Sequence, residues 1–220
     1  MTRAAGARTA GLRGTIATVP PNIIEIETPH GAARAHVTEV QGARGGVILG
    51  HGAGGGVGSR DLSAASAAAA ETGFSLALVE QPYRVAGRRS PAPARQLDAA
   101  WIAVVEHLRS GLLKRLPLVA GGRSSGARVA CRTAGETGAI GVLCLAFPLR
   151  PPGRPDAPSR QGELDGVRVP VLVVQGESDP FGLPAPGPAR EIVTVKGNHS
   201  LRGDLAAVQS AIAQWLSQLR

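Results

Sequence analysis

From Gly46 onward the chain alternates short runs of apolar residues with helix-prone segments, and this alternation restricts the possible folds more than any other feature. The runs are Val47 to Leu49, Leu76 to Val79, Leu116 to Ala120, Ile140 to Ala146, Val171 to Val174 and Ile192 to Val195. Each is apolar at consecutive positions, so each needs cover on both faces. Strands of this kind, mostly separated by helices, predict an α/β fold with a mainly parallel twisted sheet and helices on both faces. Asn22 to Thr28 and Ala33 to Val40 flank Pro29-His30-Gly31 and read as an antiparallel N-terminal hairpin at the sheet edge. Aromatic residues are only 3% against 43% hydrophobic, so Val, Leu, Ile and Ala must build the core.

The helices carry their own periodicity. Leu97, Trp101, Val104, Val105 and Leu108 recur at spacings of three and four, as do Leu205, Val208, Ile212, Trp215, Leu216 and Leu219. Both tryptophans fall on these stripes, which assigns them to packing. The alanine-rich run Ser63 to Ala70 occupies the place of the helix after the first inner strand. Two segments escape the alternation, Gln81 to Arg95 and the proline-rich Phe147 to Gly166. Both follow strand ends, on the rim where open α/β sheets bind ligands. At 220 residues one domain over 16–220 is expected, with a flexible N-terminal tail over 1–15 and little room for a cap domain.

Charge excludes less than its size suggests. The net charge is +8, yet lysine occurs only at 114 and 196, and the arginines are scattered, with Arg88-Arg89 the only adjacent pair. No basic patch suited to nucleic acid emerges. Cys131 and Cys144 fall in an apolar helix and an apolar strand, as buried free thiols, and no zinc spacing is present. No segment reaches the roughly 20 apolar residues of a membrane span, and the N-terminus lacks the apolar core of a signal peptide. The expectation is a cytoplasmic protein with no cofactor, no metal and no membrane or nucleic-acid partner. The oligomeric state is left open.

Gly122-Arg123-Ser124-Ser125-Gly126 follows an apolar run and opens a helical segment, the layout of a nucleophile elbow. A serine pushed out on a tight strand-to-helix turn leaves no room for Cβ atoms two residues to either side. The glycines also fix the register on Ser124, because Ser125 would need them at 123 and 127. A serine needs a base, and the base needs an orienting acid. Asp179 follows Val171 to Val174, and His199 follows Ile192 to Val195, giving the order Ser…Asp…His. Glu177 is the rival acid, two residues nearer the strand. Gly50-His51-Gly52-Ala53-Gly54-Gly55-Gly56 follows the first inner strand and can turn backbone N–H groups inward. Ala53, or Gly54, together with Ser125 would then form an oxyanion hole. This loop lacks the Gly-Lys-Ser/Thr of a phosphate loop and the spacing of a dinucleotide fingerprint. His51 reads as a structural holder of the loop.

With these residues the chain resembles the α/β-hydrolase superfamily over about 22–220. The segments Gly50 to Gly55, Glu80-Gln81-Pro82-Tyr83-Arg84, Gly121 to Arg128, Phe147 to Gly153 and Gln175 to Phe181 look like a bacterial dienelactone-hydrolase-like group. That group is similar to the testis-expressed hydrolase-like proteins and to a scaffold subunit of a histone-acetyltransferase complex. Dienelactone hydrolases use cysteine where this chain has Ser124. The resemblance implies a serine hydrolase fold and triad, not a substrate. The expected activity is cleavage of a small ester, thioester or lactone through an acyl-enzyme on Ser124. Gln81, Tyr83, Arg84 and Arg150 are candidates to line the substrate pocket. The alternative is a non-catalytic interaction or scaffold protein on the same fold.

Overall fold

The computed structural model describes residues 22–219, so the tail expected over 1–15 lies outside the described residues. Among the described residues the eight strands are β1 (Asn22–Ile26), β2 (Ala33–Thr38), β3 (Gly45–Gly50), β4 (Phe74–Glu80), β5 (Leu118–Arg123), β6 (Gly141–Leu145), β7 (Val171–Gly176) and β8 (Arg190–Val195). They form one sheet in the order β1-β2-β4-β3-β5-β6-β7-β8. The first two strands are antiparallel, and β2 also runs antiparallel to β4. Every pair from β4 through β8 is parallel. The expected mainly parallel sheet with an antiparallel N-terminal edge is therefore the observed one.

The consecutive apolar positions have the predicted cause. Ile48, Ala120, Val142, Cys144, Val171 and Val173 pack into one core, while Val47, Leu49, Val119, Leu143, Leu145, Leu172 and Val174 pack into the other. Side chains of a strand alternate between faces, so both faces are apolar because both are covered. Helices α3 (Ala94–Ser110) and α4 (Ser125–Arg132) cover the first face through Leu97, Trp101, Val104, Ala127 and Ala130. Helices α1 (Arg60–Glu71) and α7 (Leu205–Gln218) cover the second through Leu62, Ala65, Ala68, Val208, Ile212 and Trp215. Each large apolar side chain so buried contributes about 1.5–3 kcal/mol. Cys131 and Cys144 meet inside the first core, with Sγ atoms 3.5 Å apart as free thiols.

Several element ends differ from expectation. The run Leu116 to Ala120 enters the sheet only at Leu118, because Leu116 N–H closes a turn onto Leu113 O and Pro117 follows. The same strand continues past Ala120 through both glycines to Arg123, where sequence reading gives glycine no strand preference. The first hairpin strands end at Ile26 and Thr38, short of Thr28 and Val40. Leu219 lies just beyond the last helix in extended backbone. The two rim segments contain one-turn helices, α2 (Pro82–Val85) and α6 (Gln161–Asp165), and α5 (Ala134–Thr137) follows α4. No large cap domain is inserted between any of these elements.

Candidate active site

Ser124 is the residue between β5 and α4, with φ 52° and ψ −107°. That backbone is costly for a residue with a Cβ and is held by its surroundings. The Ser124 N–H donates to Leu145 O at 2.8 Å, tying the turn to β6. A Cβ on Gly122 would lie 2.5 Å from Gly50 O and 2.7 Å from the carbonyl carbon of Gly126, and one on Gly126 would collide with Gly50 O. Close approach of β3, β5 and α4 requires both glycines. Arg128 and Arg132 on α4 hold its outer face, pairing with Glu163 and with Asp98 on α3.

The loops after β7 and β8 lie side by side. Gly176 allows this, since a Cβ there would stand 2.5 Å from Asn198 O. His199 Nδ1 lies 2.8 Å from Asp179 Oδ2, and His199 Nε2 lies 3.0 Å from Ser124 Oγ. A carboxylate only accepts, so Nδ1 carries the proton and Nε2 is free to accept from the serine hydroxyl. The Asp179 side chain is 1% exposed and that of His199 18%. Phe181 N–H donates to the other Asp179 oxygen at 2.9 Å, and the Phe181 ring lies 4.2 Å from the imidazole, centre to centre. Glu177, the rival acid, has an exposed side chain.

The glycine-rich loop lies beside Ser124. Among the described residues, the N–H groups of Ala53, Gly54 and Ser125 have no protein acceptor. His51 is 2% exposed, its Nδ1–H donating to Gly52 O at 2.8 Å and its Nε2 accepting from Gln81 N–H at 3.1 Å. Burial is the main cause that pushes its pKa below the ordinary value, and the Gly52 hydrogen bond opposes it. A neutral imidazole clamping two backbone segments is a structural part. Tyr83 O–H donates to Ala53 O at 3.0 Å, a second tie on the same loop.

The four pocket candidates are dispersed. Gln81 and Tyr83 line a cavity of about 340 Å³ between α2 and the start of α3, where the Gln81 amide donates to Leu97 O at 3.3 Å. Arg150 lines a separate cavity of about 330 Å³ beside Phe181. Arg84 reaches back to Arg88 O at 3.4 Å and lines neither. Among the described residues, no group of three or more His, Cys, Asp or Glu side chains could hold a metal ion. No helix there is long and apolar enough to cross a membrane.

The sequence pattern of the alpha/beta hydrolase domain matches residues 43–202, well over half of the chain. The chain belongs to this family. Solved structures share the α/β-hydrolase fold at low identity. XC6422 from Xanthomonas campestris, an α/β serine hydrolase without a lid, is 19% identical with a TM-score of 0.68, over 89% of this chain and 95% of that one. Est1E from Butyrivibrio proteoclasticus with ferulic acid bound is 16% identical with a TM-score of 0.71, over 89% and 98%. Dienelactone hydrolase from Anabaena variabilis is 16% identical with a TM-score of 0.68, over 91% and 97%. No curated protein matches the chain.

Three side chains beside the elbow of this α/β hydrolase have no role in the sequence reading. Gln175, fully buried, donates through Nε2 to Asp179 Oδ2 at 2.8 Å and also approaches Phe147 O and Gly182 O. Arg123, inside the elbow motif, places Nε 2.7 Å from Asp61 Oδ2 and donates through Nη2 to His199 O at 3.0 Å. Position within the elbow was the available signal for Arg123. Asp61 carries none, because its partner lies far off in sequence, and Gln175 carries none, because spacing does not show that the turn after its own strand folds Asp179 back onto it.

Proposed function

We propose that this α/β-hydrolase-family protein cleaves small esters, thioesters or lactones through an acyl-enzyme on Ser124. The observation that carries the reading is the unbroken run of hydrogen bonds from Asp179 through His199 to Ser124, at 2.8 and 3.0 Å, ending on a serine in strained elbow backbone. His199 Nε2 takes the serine proton as Oγ attacks the carbonyl carbon, then returns it to the departing alcohol, thiol or ring oxygen. Asp179 holds the imidazole in the Nδ1–H form and stabilises the imidazolium. The developing oxyanion is met by the N–H of Ser125 and that of Ala53 or Gly54. A water, activated by the same histidine, then hydrolyses the acyl-enzyme.

The absence of a large cap favours small or accessible substrates, and the esterase and dienelactone hydrolase relatives favour carboxylic ester chemistry. The test is a fluorophosphonate probe and p-nitrophenyl acetate, applied to the native chain and to Ser124→Ala. Labelling and turnover in the first, lost in the second, are expected. An intact protein that neither labels nor turns over would make this a non-catalytic member of the family.

A further inference from the structure

We propose that Arg123 and Asp61 are a positioning pair that fixes the main chain of His199, and so sets where the imidazole stands between Asp179 and Ser124. The proposal rests on the triad reading above. Arg123 precedes the nucleophile directly, yet its side chain serves the opposite wall of the site. Its guanidinium has three contacts on three separate segments. Nε faces Asp61 in the first turn of α1 at 2.7 Å, and Nη2 donates to His199 O at 3.0 Å. Nη1 fills the space above Gly52, where a Cβ would come within 2.6 Å of it.

Asp61 is 1% exposed, and Arg123 is mostly buried, so this is a pair withdrawn from water. The Nε–H does not point straight at Oδ2, so charge attraction rather than a linear hydrogen bond dominates the contact. The other Asp61 oxygen accepts from Leu62 N–H at 2.9 Å, which anchors the carboxylate to α1. A planar, always-charged fork can satisfy a carboxylate and a carbonyl at once, which lysine cannot do from the same position. A carbonyl-bound arginine at His199 thus couples the base loop to the glycine loop and to α1. Its own backbone is the elbow. All parts of the candidate site then share one rigid reference.

Burial alone could also explain a paired aspartate and arginine, so the test must separate packing from positioning. Three variants suffice: Arg123→Lys, Arg123→Met, and Arg123→Met combined with Asp61→Leu. Arg123→Met strands a buried carboxylate and should lower both Tm and kcat. The double variant removes both charges and should recover most of the Tm. Its kcat for p-nitrophenyl acetate should stay about 10- to 100-fold below the native value with KM within about threefold, the scale of a misplaced catalytic group. Arg123→Lys should fall between. In parallel, the downfield proton NMR signal of the His199 Nδ1–H bonded to Asp179 reports imidazole position without any turnover. It should be present in the native protein and shifted or lost in the double variant.

Recovery of kcat and of that signal together with Tm in the double variant overturns the proposal, leaving the pair a packing feature. If the native protein fails to label with fluorophosphonate while the signal is present and is lost in the double variant, positioning stands and the catalytic reading falls. A native protein without that signal overturns the positioning proposal whatever the turnover.

Discussion

Asp179→Asn is the substitution that asks most of the site, because its neighbours dictate how an asparagine must lie. Phe181 N–H donates to Oδ1 at 2.9 Å, while Oδ2 faces His199 Nδ1 and Gln175 Nε2, both at 2.8 Å. An asparagine keeps the Phe181 bond only by placing its oxygen there, which turns its NH2 toward both other partners. His199 Nδ1 must then accept, so the ring proton moves to Nε2, the atom that should receive the serine proton. Removing the base in this way should lower kcat about 10³- to 10⁴-fold, or about 4–5.5 kcal/mol in the barrier. The NH2 also confronts the Gln175 NH2 inside a fully buried pocket. A buried donor without an acceptor costs about 1–3 kcal/mol, and at this length each kcal/mol shifts Tm by about 2–4 °C, so Tm should fall by about 2–12 °C. Hydrolysis of p-nitrophenyl acetate and scanning calorimetry measure the two effects, with Glu177→Gln as a control expected to stay within about twofold of native turnover. The reasoning is refuted if Asp179→Asn keeps kcat within tenfold of native, or if Glu177→Gln is the change that abolishes turnover.

Gly122→Ala would bring a Cβ to 2.5 Å from Gly50 O, closer than such atoms approach in practice; β3 or β5 must move, at about 3 kcal/mol, and a Tm lower by about 6–12 °C should be seen by calorimetry, with fluorophosphonate labelling slowed. Tyr83→Phe deletes the hydroxyl that donates to Ala53 O, so stability should drop by about 1 kcal/mol in urea unfolding, and kcat should fall several-fold with KM little changed if that tie steadies the oxyanion loop. Burial holds the folded-state pKa of His51 below its usual 6.5. The folded protein therefore takes up that proton less readily than the unfolded chain, so the associated stability is complete above pH 6.5 and is lost as pH falls from there toward the lower folded value. His51→Asn, which does not titrate, should show a shallower loss of unfolding free energy between pH 6.5 and 5, and an unchanged slope would contradict this account.

The sheet was legible because its signal is local. Consecutive apolar positions between helices imply cover on both faces, and residues such as Ile48 and Leu49 indeed enter opposite cores. The same logic put Ser124, Asp179 and His199 on loops after strands, and those three side chains meet. Boundaries were less legible where glycine serves a strand for steric reasons, as at Gly121 and Gly122, which a preference scale treats as breaks. Least legible were contacts between side chains distant in sequence. Spacing places Gln81 and Arg84 at a strand end but does not say which way they turn, and the structure turns one toward Leu97 O and the other toward Arg88 O. Which carboxylate would meet the histidine was ambiguous for a related reason. Glu177 and Asp179 share one loop, and only its fold, with Asp179 N–H closing onto Gly176 O, buries the second and exposes the first.

The elbow also explains why so much of the site is built from glycine and arginine rather than from larger apolar groups. A serine at φ 52° does not hold itself there, so the restraint must come from what presses on the turn. On one side the pressure is backbone against backbone, with β3, β5 and the first turn of α4 so close that Gly122 and Gly126 leave no space for a side chain. On the other it is charge. Arg128 and Arg132 fasten α4 through Glu163 and Asp98, and Arg123 fastens the strand end through Asp61 and the His199 carbonyl. Backbone contact fixes distance but resists rotation poorly, whereas a forked guanidinium fixes direction. A turn that must aim one oxygen at one imidazole nitrogen needs both restraints, and arginines on either side of Ser124 follow from that need.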